Sequence, residues 1–450
     1  MSEINKEYLD ALRGDVEQKH DDALVERFEA LHPADIAEAF DALNAEEVSY
    51  CFKLLDDKER AANVLVELDE DVREALMERL TNREIIEEVL AYIDSDDAAD
   101  VVSELPESRA EEVIAQLNAE EQEELISLMS YPEGTAGALM ATELVAVQVD
   151  WSVAQSVREM RQQAEDVDRV HSIYAINEAG QLKGLLSTRR LLFASSSARS
   201  TIADLYDDED THAVRVDAPD EEVVQIMKKY DLVALPVVDE HQRLLGRITI
   251  DDVVDLMEDE AEKDYQLASG ISEDVESSDG VWAQTRARLP WLLIGLGGGL
   301  AGAYIIGAFR IESFPNLMLF VPLIAAMGGN VGVQSAAIVV QGLANQSISE
   351  DNIGHRLVKE LSVALVNAAI CAAVIMLASI ALQYDSSLSL TVSLALFAVI
   401  VFAALFGTFI PLLLNRVNID PALATGPFIT TANDIIGLII YFSIGLALLP

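Results

Sequence analysis

Five long apolar runs occupy the C-terminal part of the chain. Each is near or above the roughly 20 residues that span a bilayer as a helix. Buried helices of a soluble core would not supply several consecutive runs of this length. The pattern predicts a polytopic α-helical membrane domain over 285–450 with five transmembrane helices. Their approximate limits are 289–309, 316–344, 361–383, 388–414 and 421–449.

A helical pattern fills the start of the chain. Residues 20–130 are rich in Ala, Leu and Glu at helical spacing. Within them, LHPADIAEAFDAL (31–43) resembles IDSDDAADVVSEL (93–105). We therefore expect an acidic, all-α helical-repeat N domain over 1–135.

A second repeat, of mixed pattern, follows this helical array. SIYAINEAGQLKGLLSTRRLL (172–192) returns as ALPVVDEHQRLLGRITIDDVV (234–254) at an offset of 62 residues. Each copy has β-branched runs and amphipathic stretches in the order strand, helix, two strands, helix. The repeat predicts two stacked α/β modules over 136–255, at about 140–198 and 203–255.

Acidic charge is concentrated in the part that precedes the apolar runs. Residues 281–450 hold only six basic and seven acidic side chains, so residues 1–280 hold 24 basic against 70 acidic ones. Such a field repels nucleic acid and anionic lipid and attracts cations, although many acidic proteins are merely soluble or salt-adapted. Charge alone leaves cation sensing and simple solubility both open.

The N-terminus and the basic residues predict the topology. MSEINKEYLD has neither a basic n-region nor an apolar core, so we expect no cleavable signal peptide. In an odd-even count of the helices, five basic residues share one side of the membrane and only Arg310 lies on the other. The five are Arg286, Arg288, Arg356, Lys359 and Arg416. We expect a multi-pass protein of the cytoplasmic (inner) membrane with a cytosolic N-terminus and an external C-terminus.

Several classes of chemistry are disfavoured. Cys51 and Cys371 lie in different parts of the chain, which excludes a disulfide framework, and there is no Cys/His cluster suited to zinc. The sequence has no P-loop and no motif for a covalent nucleophile, so we expect no enzyme.

One carboxylate falls deep inside the last apolar run. Asp434 lies about a dozen residues into it. A charge at that depth costs on the order of 3 kcal/mol or more unless it is paired or hydrated. No intramembrane Lys or Arg is available as a partner. A protonated structural aspartate or a proton relay is one interpretation, and a hydrated cation site facing a pore is the one we favour.

The second apolar run carries further oxygen donors. In MGGNVGVQSA (327–336), Asn330 and Gln334 are four residues apart and share a helix face, and the adjacent glycines would expose backbone carbonyls. Hard cations such as Mg²⁺ prefer oxygen ligands and keep their water, so amides around one carboxylate suit a hydrated ion. Hydrogen bonds between helices explain the two amides nearly as well.

An acidic segment joins the second module to the first apolar run. IDDVVDLMEDEAEKDYQL (250–267) predicts an acidic connecting helix, or plug, over 251–280, with only Lys263 to offset its carboxylates. Like charges one turn apart repel by about 0.2–0.5 kcal/mol per pair. The helix should therefore pack against other acidic surfaces only where cations intervene, and a solvated linker helix is the alternative.

The order and extent of these parts resemble the MgtE magnesium channels, and the paired modules are similar to CBS domains. The most specific pieces are GGNVGVQSA (328–336) and DPALATGPFITTANDIIGLIIY (420–441). The resemblance covers nearly the whole chain. It implies a homodimer with one pore between the subunits.

The resemblance implies roles for pore residues. In this family the aspartate of the last membrane helix selects the ion, and Asp434 matches it by motif. Asp420, in the DPAL turn, would be a second acidic ligand at the cytosolic mouth. The expected pore-lining residues are Asn330, Gln334, Thr430 and Asn433.

The resemblance also implies control by Mg²⁺ ions that bridge the helical domain, the second CBS module and the connecting helix, and that close the pore when cytosolic Mg²⁺ is ample. Matching carboxylates come from SDDAAD, from the two ends of the second module's helix and from the connecting helix. They are Asp96, Asp100, Glu221, Asp231, Asp252, Asp255, Glu260 and Asp264. For the aspartates of SDDAAD, helix capping explains the residues as well as metal binding does.

The sequence departs from the family pattern at three positions. Lys263 replaces a carboxylate of the connecting helix, which removes a ligand for a bridging ion. Arg190 stands where an ATP-binding first module has a ribose-binding carboxylate, whereas the second module keeps Asp252, and this argues against ATP as a cofactor without excluding it. Val333 lies in the filter segment where relatives place Asn.

We therefore expect a Mg²⁺-selective channel or transporter that admits magnesium and is closed by cytosolic Mg²⁺. A less selective route for Co²⁺, Mn²⁺ or Ni²⁺ is one alternative, because oxygen ligands discriminate weakly among hydrated cations. A membrane-anchored ion or nucleotide sensor that does not conduct is another. The expected partners are a second copy of the chain, the membrane and divalent cations, with no nucleic acid.

Overall fold

The computed structural model describes residues 4–164, 167, 169–194, 201–208, 211–272, 275, 280–309, 315–344, 353–417, 419–424 and 426–449. Contacts divide the chain into two compact units, Met1–Met257 and Glu258–Pro450. The C-terminal residue and most of the predicted connection after Ser272 lie outside the described residues.

Short capped helices build the N domain. At Asn44 and Asn118 the side chain accepts backbone N–H groups of the first turn, and a glutamate three residues later accepts the cap's own N–H. The helices are α1 (Lys6–Gln18), α2 (Asp21–Glu29), α3 (Pro33–Phe40), α4 (Ala45–Phe52), α5 (Lys58–Val66), α6 (Glu70–Met77), α7 (Asn82–Glu84, continued by a π-helical turn at Ile85–Leu90), α8 (Ser95–Ser103), α9 (Glu107–Ile114) and α10 (Ala119–Met129).

Arginines tie helices that lie about thirty residues apart in sequence. The Arg60 guanidinium donates to the Glu29 carbonyl at 3.3 Å, and the Arg109 guanidinium donates to the Met77 carbonyl at 2.8 Å. The last carbonyls of a helix have no partner within that helix, so each guanidinium satisfies groups that would otherwise need water. The predicted all-α array is confirmed.

The internal repeat folds as two equivalent modules. The first contains β1 (Val145–Gln148), α11 (Val153–Gln163), β2 (Ile173–Ile176), β3 (Leu182–Leu186) and α12 (Thr188–Ala194). After a 3₁₀ turn at Ile202–Asp204, the second contains β4 (Val214–Arg215), α13 (Asp220–Tyr230), β5 (Ala234–Val238), β6 (Leu244–Thr249) and α14 (Ile250–Ser269). In each sheet the first strand is parallel to the second, and the second is antiparallel to the third.

The equivalence extends to backbone irregularities and to the contact between modules. The sheet register shifts after Ala175 in the first module and after Val237 in the second. The Leu182 N–H donates to the Gln242 carbonyl at 2.9 Å, and the Leu244 N–H donates to the Gly180 carbonyl at 3.0 Å. Both relations follow the 62-residue offset, so the two modules pair about a pseudo-two-fold axis.

The hydrophobic cores of the two modules differ. One continuous apolar core joins the N domain to the second module and includes Phe40, Val102, Leu235 and Ile248. The first module has a core of its own around Val147. The N domain is therefore built onto the second module, although the two modules have the same backbone.

A buried arginine reinforces that junction. Arg247 of β6 has only 5% of its side chain exposed, and its Nη2 lies 3.1 Å from the Asp94 Oδ2. Its Nη1 donates to the Arg169 carbonyl at 3.0 Å. The equivalent residue of the first module is Leu185, so only the second module carries a buried charge at this position.

The second unit is a bundle of apolar helices around α19. The described residues contain five helices long and apolar enough to cross a membrane. They are α15 (Val281–Ala308), α17 (Val321–Ala344), α18 (Ile353–Ala381), α19 (Ser386–Arg416) and α20 (Gly426–Leu448), with a short α16 (Pro315–Met318) before α17. α19 is the most enclosed, while α15 and α18 expose large apolar side chains such as Leu292 and Val374. The predicted fold class is confirmed.

The glycines of the second run allow close packing within a continuous helix. A Cβ at Gly407 of α19 would lie 2.3 Å from the Gly332 carbonyl oxygen of α17. Residues 327–336 are helical throughout, so these glycines bring backbones together and do not break the helix. The connecting helix α14 ends at Ser269, because Gly270 takes a φ of 81° that stops the helix.

We predict that Arg247→Leu, which places the residue of the first module at this position, destabilises the first unit by roughly 1–3 kcal/mol, because Asp94 loses its buried counter-charge. The thermal midpoint of the full-length protein, followed by circular dichroism, measures the effect. Arg243→Leu, at an exposed arginine four residues earlier, is the matched control. Equal midpoints for the two variants would contradict the prediction, and Asp94→Asn should recover part of the loss in Arg247→Leu.

Candidate cation sites

Helices α17 and α20 line a cavity of about 400 Å³ in the membrane unit. Residues from α17 recur every three or four positions, so they form one helix face. Thr430 and Asp434 come from α20 and are one turn apart. The full lining is Ala325, Ala326, Gly329, Asn330, Val333, Gln334, Thr430 and Asp434.

The lining suits a hydrated cation. The Asp434 carboxylate is the one charged group among these lining residues, and Asn330, Gln334 and Thr430 add oxygen atoms. Asp434 and Thr430 are half-buried, whereas Asn330 and Gln334 are exposed. Because a water molecule occupies about 30 Å³, the volume admits an ion that keeps several waters.

Thr430 presents its backbone and methyl group more than its hydroxyl. Its Oγ1 donates to the Gly426 carbonyl of its own helix at 2.9 Å. A Cβ at Gly329 would lie 3.1 Å from the Thr430 Cγ2. The close approach of α17 at Gly329 therefore sets the width of this part of the cavity.

Asn433 lies elsewhere, which differs from the expectation that it lines the pore. Its side chain is 1% exposed, and a Cβ at Gly332 would fall 1.9 Å from its Nδ2. Asn433 therefore packs against α17 at Gly332, whereas Asp434, one residue later, borders the cavity. Among the described residues, neither polar atom of this amide has a hydrogen-bond partner.

The structure brings two predicted carboxylates together at the start of α20. Asp420 is exposed and accepts the Ala422 N–H at 2.7 Å. Desolvation and the like charge of Asp420 raise the pKa of Asp264, on α14. A Cβ at Gly426 would lie 2.3 Å from the Ala268 carbonyl oxygen, so the end of α14 packs directly on the beginning of α20.

A second group of carboxylates lies in the first unit, between α8 and the start of α14. Desolvation and the like charge of Asp252 raise the pKa of Asp96 well above its usual range and that of Asp97 to about 7. Desolvation raises the pKa of Asp100 to about 6 against the opposing charge of the Arg73 guanidinium. Asp252 itself accepts the Thr249 N–H and hydroxyl at 3.1 and 2.6 Å.

The chemistry of this cluster, defined as Asp96, Asp97, Asp100 and Asp252, follows from its crowding. Like charges with restricted hydration are stable only when they are protonated or when a cation lies among them. The donor set is entirely oxygen, which a hard divalent cation prefers. The sequence placed Asp97 in the same acidic run but did not single it out. Its spacing of three residues from Asp100 was the available signal.

Glu143 is a carboxylate that sequence reasoning missed. It accepts the Ser95 N–H at 3.2 Å and the Ser95 hydroxyl at 2.9 Å, at the start of α8. Burial and the nearby Asp94 charge raise its pKa. No sequence pattern around Glu143 indicated this contact, because it joins segments 48 residues apart.

Two predicted ligands of the second module are separated along α13. Glu221 and Asp231 lie at opposite ends of α13, an 11-residue helix about 15 Å long, so they cannot share an ion. Asp231 caps the end of that helix with a φ of 52°. Asp255 lies on the part of α14 that belongs to the first unit, and Glu260 on the part that belongs to the second.

The first CBS-like module has a cavity of about 540 Å³ beside Arg189, Arg190 and Phe193. The Arg190 Nη2 lies 2.9 Å from the Asp207 Oδ2. A cation paired with its own carboxylate cannot accept a hydrogen bond from a ribose hydroxyl. This cavity is therefore a poor fit for the sugar of a nucleotide.

Comparisons with known proteins agree with this architecture. A family model described as a divalent cation transporter matches residues 321–444, the MgtE intracellular N domain matches 31–134, and the CBS domain matches 136–197 and 202–259. The magnesium transporter MgtE of Bacillus subtilis is 33% identical over 324 residues, 71% of this chain and 71% of that protein. The magnesium transporter MgtE of Thermus thermophilus is 34% identical over 330 residues, 72% of each.

Two solved structures resemble the part of the chain that precedes the membrane helices. The cytosolic domain of the Mg²⁺ channel MgtE in complex with ATP superposes with a TM-score of 0.51 at 32% identity, covering 55% of this chain and 99% of that one. The soluble part of a magnesium transporter gives 0.50 at 26% identity, covering 57% and 99%. With matching models along its length and relatives a third identical over more than two thirds of their own length, this multi-pass membrane protein belongs to the MgtE family.

Proposed function

We propose that this chain conducts Mg²⁺ across the cytoplasmic membrane through a pore lined by α17 and α20, with Asp434 as the ion-binding carboxylate. The observation that carries the proposal is the cavity in which Asp434 is the one charged residue of the described lining, together with Asn330, Gln334 and Thr430. The relatives from B. subtilis and T. thermophilus are named magnesium transporters, which supports the choice of ion.

A second copy of the chain would complete the pore. Asn330 and Gln334 belong to the cavity lining and yet are exposed in one copy. Polar side chains at a membrane helix surface are costly in contact with lipid. A symmetric partner that covers this face would place two copies of Asp434 around one hydrated ion. The basic residues at the ends of α15, α18 and α19 support a cytosolic N-terminus and entry of the ion down the membrane potential.

The acidic cluster of the first unit is proposed to be the Mg²⁺ sensor. Asp96, Asp97 and Asp100 belong to the N domain, and Asp252 belongs to the helix that leads to the membrane. A divalent ion held among them would bind the two parts together, since their charges otherwise repel. Asp264 and Asp420 would extend the same response to the mouth of the pore. Mg²⁺ is thus both cargo and regulatory ligand in this proposal.

ATP binding is not part of the function proposed for this chain. A relative's cytosolic domain was solved in complex with ATP. Here the Arg190 guanidinium pairs with Asp207, and the described residues that line the cavity of the first module include no carboxylate. Without a carboxylate to accept them, the hydroxyl donors of a bound ribose would be left unpaired, which weakens the binding of a nucleotide.

We predict that Asp434→Asn lowers Mg²⁺ uptake by reconstituted full-length protein at least about tenfold, because losing charged contacts to the ion's water costs roughly 1.5–3 kcal/mol. Asp385→Asn is the matched control, since Asp385 caps α19 and Asn caps a helix equally well.

Unchanged uptake in Asp434→Asn would favour a sensor that does not conduct. Competition by Co²⁺, Mn²⁺ and Ni²⁺ in the same vesicles tests the less selective alternative. Equal inhibition by these ions at equal concentration would replace Mg²⁺ selectivity with a general divalent route.

We also predict that protons and Mg²⁺ compete at the acidic cluster. The pKa of an unfolded Asp is about 3.9, and the pKa values of Asp97 and Asp100 in the folded protein are raised to about 7 and about 6. Between about pH 4 and about pH 7 the folded state therefore binds more protons than the unfolded state. Without Mg²⁺, the stability of the folded state falls as the pH rises through this range.

Mg²⁺ should consequently raise the thermal midpoint of the cytosolic half more at pH 8 than at pH 5.5, where protons already neutralise the cluster. Scans of the full-length protein at both pH values, with and without Mg²⁺, measure the difference. Asp252→Asn removes one like charge from the cluster and should reduce the difference between the Mg²⁺ effects at the two pH values. An equal Mg²⁺ effect at the two pH values would show that these carboxylates do not hold the ion.

A further inference from the structure

A second carboxylate is buried in the membrane unit beside the pore cavity. Glu360, on α18, is 9% exposed, and the Ser335 hydroxyl of α17 donates to its Oε1 at 2.7 Å. The predicted third apolar run began one residue later, so the sequence placed Glu360 outside the membrane helices. In the structure α18 begins at Ile353, and Glu360 lies two turns inside it.

Glu360 lines a separate cavity of about 280 Å³. The face of α18 that borders it carries Arg356, Lys359, Glu360, Val363, Ala364 and Asn367. The polar lining and the volume admit several waters at about 30 Å³ each. Gln334 of α17 borders this side cavity and also borders the cavity that contains Asp434. One amide thus separates a buried carboxylate from the proposed ion path.

The two ends of that amide are chemically different. The NH₂ group of a glutamine donates hydrogen bonds, and its carbonyl oxygen accepts them. Arg356 and Lys359 only donate, so Glu360 is the charged acceptor among the residues of the side cavity. A buried carboxylate attracts the NH₂ end, directly or through a water molecule. The carbonyl oxygen then points toward the Asp434 cavity, where a hard cation prefers oxygen.

We propose that Glu360 is a positioning residue of the transport pathway, which acts by holding Gln334 with its carbonyl oxygen toward the cation. The proposal rests on the proposed function, in which the cavity of α17 and α20 conducts Mg²⁺. Ser335 holds the carboxylate at its buried position. Arg356 and Lys359 border the same side cavity with the opposite charge, whereas the ion path lies on the other side of Gln334, so Glu360 orients a ligand and does not itself bind the ion.

Mg²⁺ uptake by full-length protein in vesicles tests the proposal through Glu360→Gln, Gln334→Ala and the double variant. Glu360→Gln keeps an acceptor for Ser335 and removes only the charge. We expect each single change to lower the uptake rate about tenfold, as outer partners of metal ligands do. The double variant should be no slower than Gln334→Ala alone, because both changes act on one group. Wild-type uptake in Glu360→Gln, or single effects that multiply in the double variant, would overturn the proposal.

A selectivity measurement separates orientation from general damage. The ratio of Mg²⁺ to Ca²⁺ uptake should fall in Glu360→Gln and stay at the wild-type value in Glu360→Asp, which retains the charge. A damaged fold would lower both ions together, and that result would count against the proposal.

A second route covers failure of Glu360→Gln to give monodisperse protein. Ser335→Ala then takes its place, because it releases the carboxylate without removing it. Its effect should also vanish in the Gln334→Ala background, and an additive effect would overturn the proposal. Failure of the proposed function and failure of this inference give different results. Absence of Mg²⁺ uptake by the unmodified protein sinks the proposed function, whereas uptake that depends on Asp434 but not on Glu360 sinks only this inference.

Discussion

Carboxylates that water cannot fully hydrate are the constraint on which both halves of this protein depend. Asp434 lies in a membrane helix, and Asp96, Asp97 and Asp252 crowd one another in the first unit. An ionised group with poor hydration needs a counter-charge, and none of the described residues that line the Asp434 cavity is basic. In the proposed function a mobile cation supplies that charge in both places, and at the acidic cluster it adds to the charge of Arg73. The proposed transport and the proposed sensing therefore both depend on poorly hydrated carboxylates that attract a cation.

Helix packing determines which polar groups face the cavity of α17 and α20. Close contacts at Gly329, Gly332 and Gly407 bring α17 against α20 and α19. These contacts fix the rotation of α20, so that Asp434 faces the cavity while its neighbour Asn433 is buried against Gly332. A larger residue at Gly332 would collide with the Asn433 amide. It would therefore also shift the part of α20 that directs Asp434 toward the cavity. The glycines matter here because their close contacts determine how α20 is rotated about its own axis.

The two CBS-like modules share a backbone and differ in charge. Strand order, register shifts and the reciprocal hydrogen bonds between modules all follow the 62-residue offset. Arg247 replaces Leu185, and Arg190 takes the place that Asp252 has in the second copy. The N domain shares its apolar core with the second module, which also supplies Arg247 and Asp252. Divergence after duplication has thus made one module the partner of the N domain.

The sequence by itself determined the features that depend on local spacing. Apolar length gave the five membrane helices, periodicity gave the helical array and the repeated module, and depth within an apolar run singled out Asp434. The tertiary structure decided which distant groups meet. It placed Asp97 beside Asp252 and Glu360 against Ser335, it kept Glu221 from Asp231, and it turned Asn433 away from the cavity. Spacing along a chain fixes the face of one helix, whereas contacts between helices depend on how their side chains pack, and a single sequence does not state that packing.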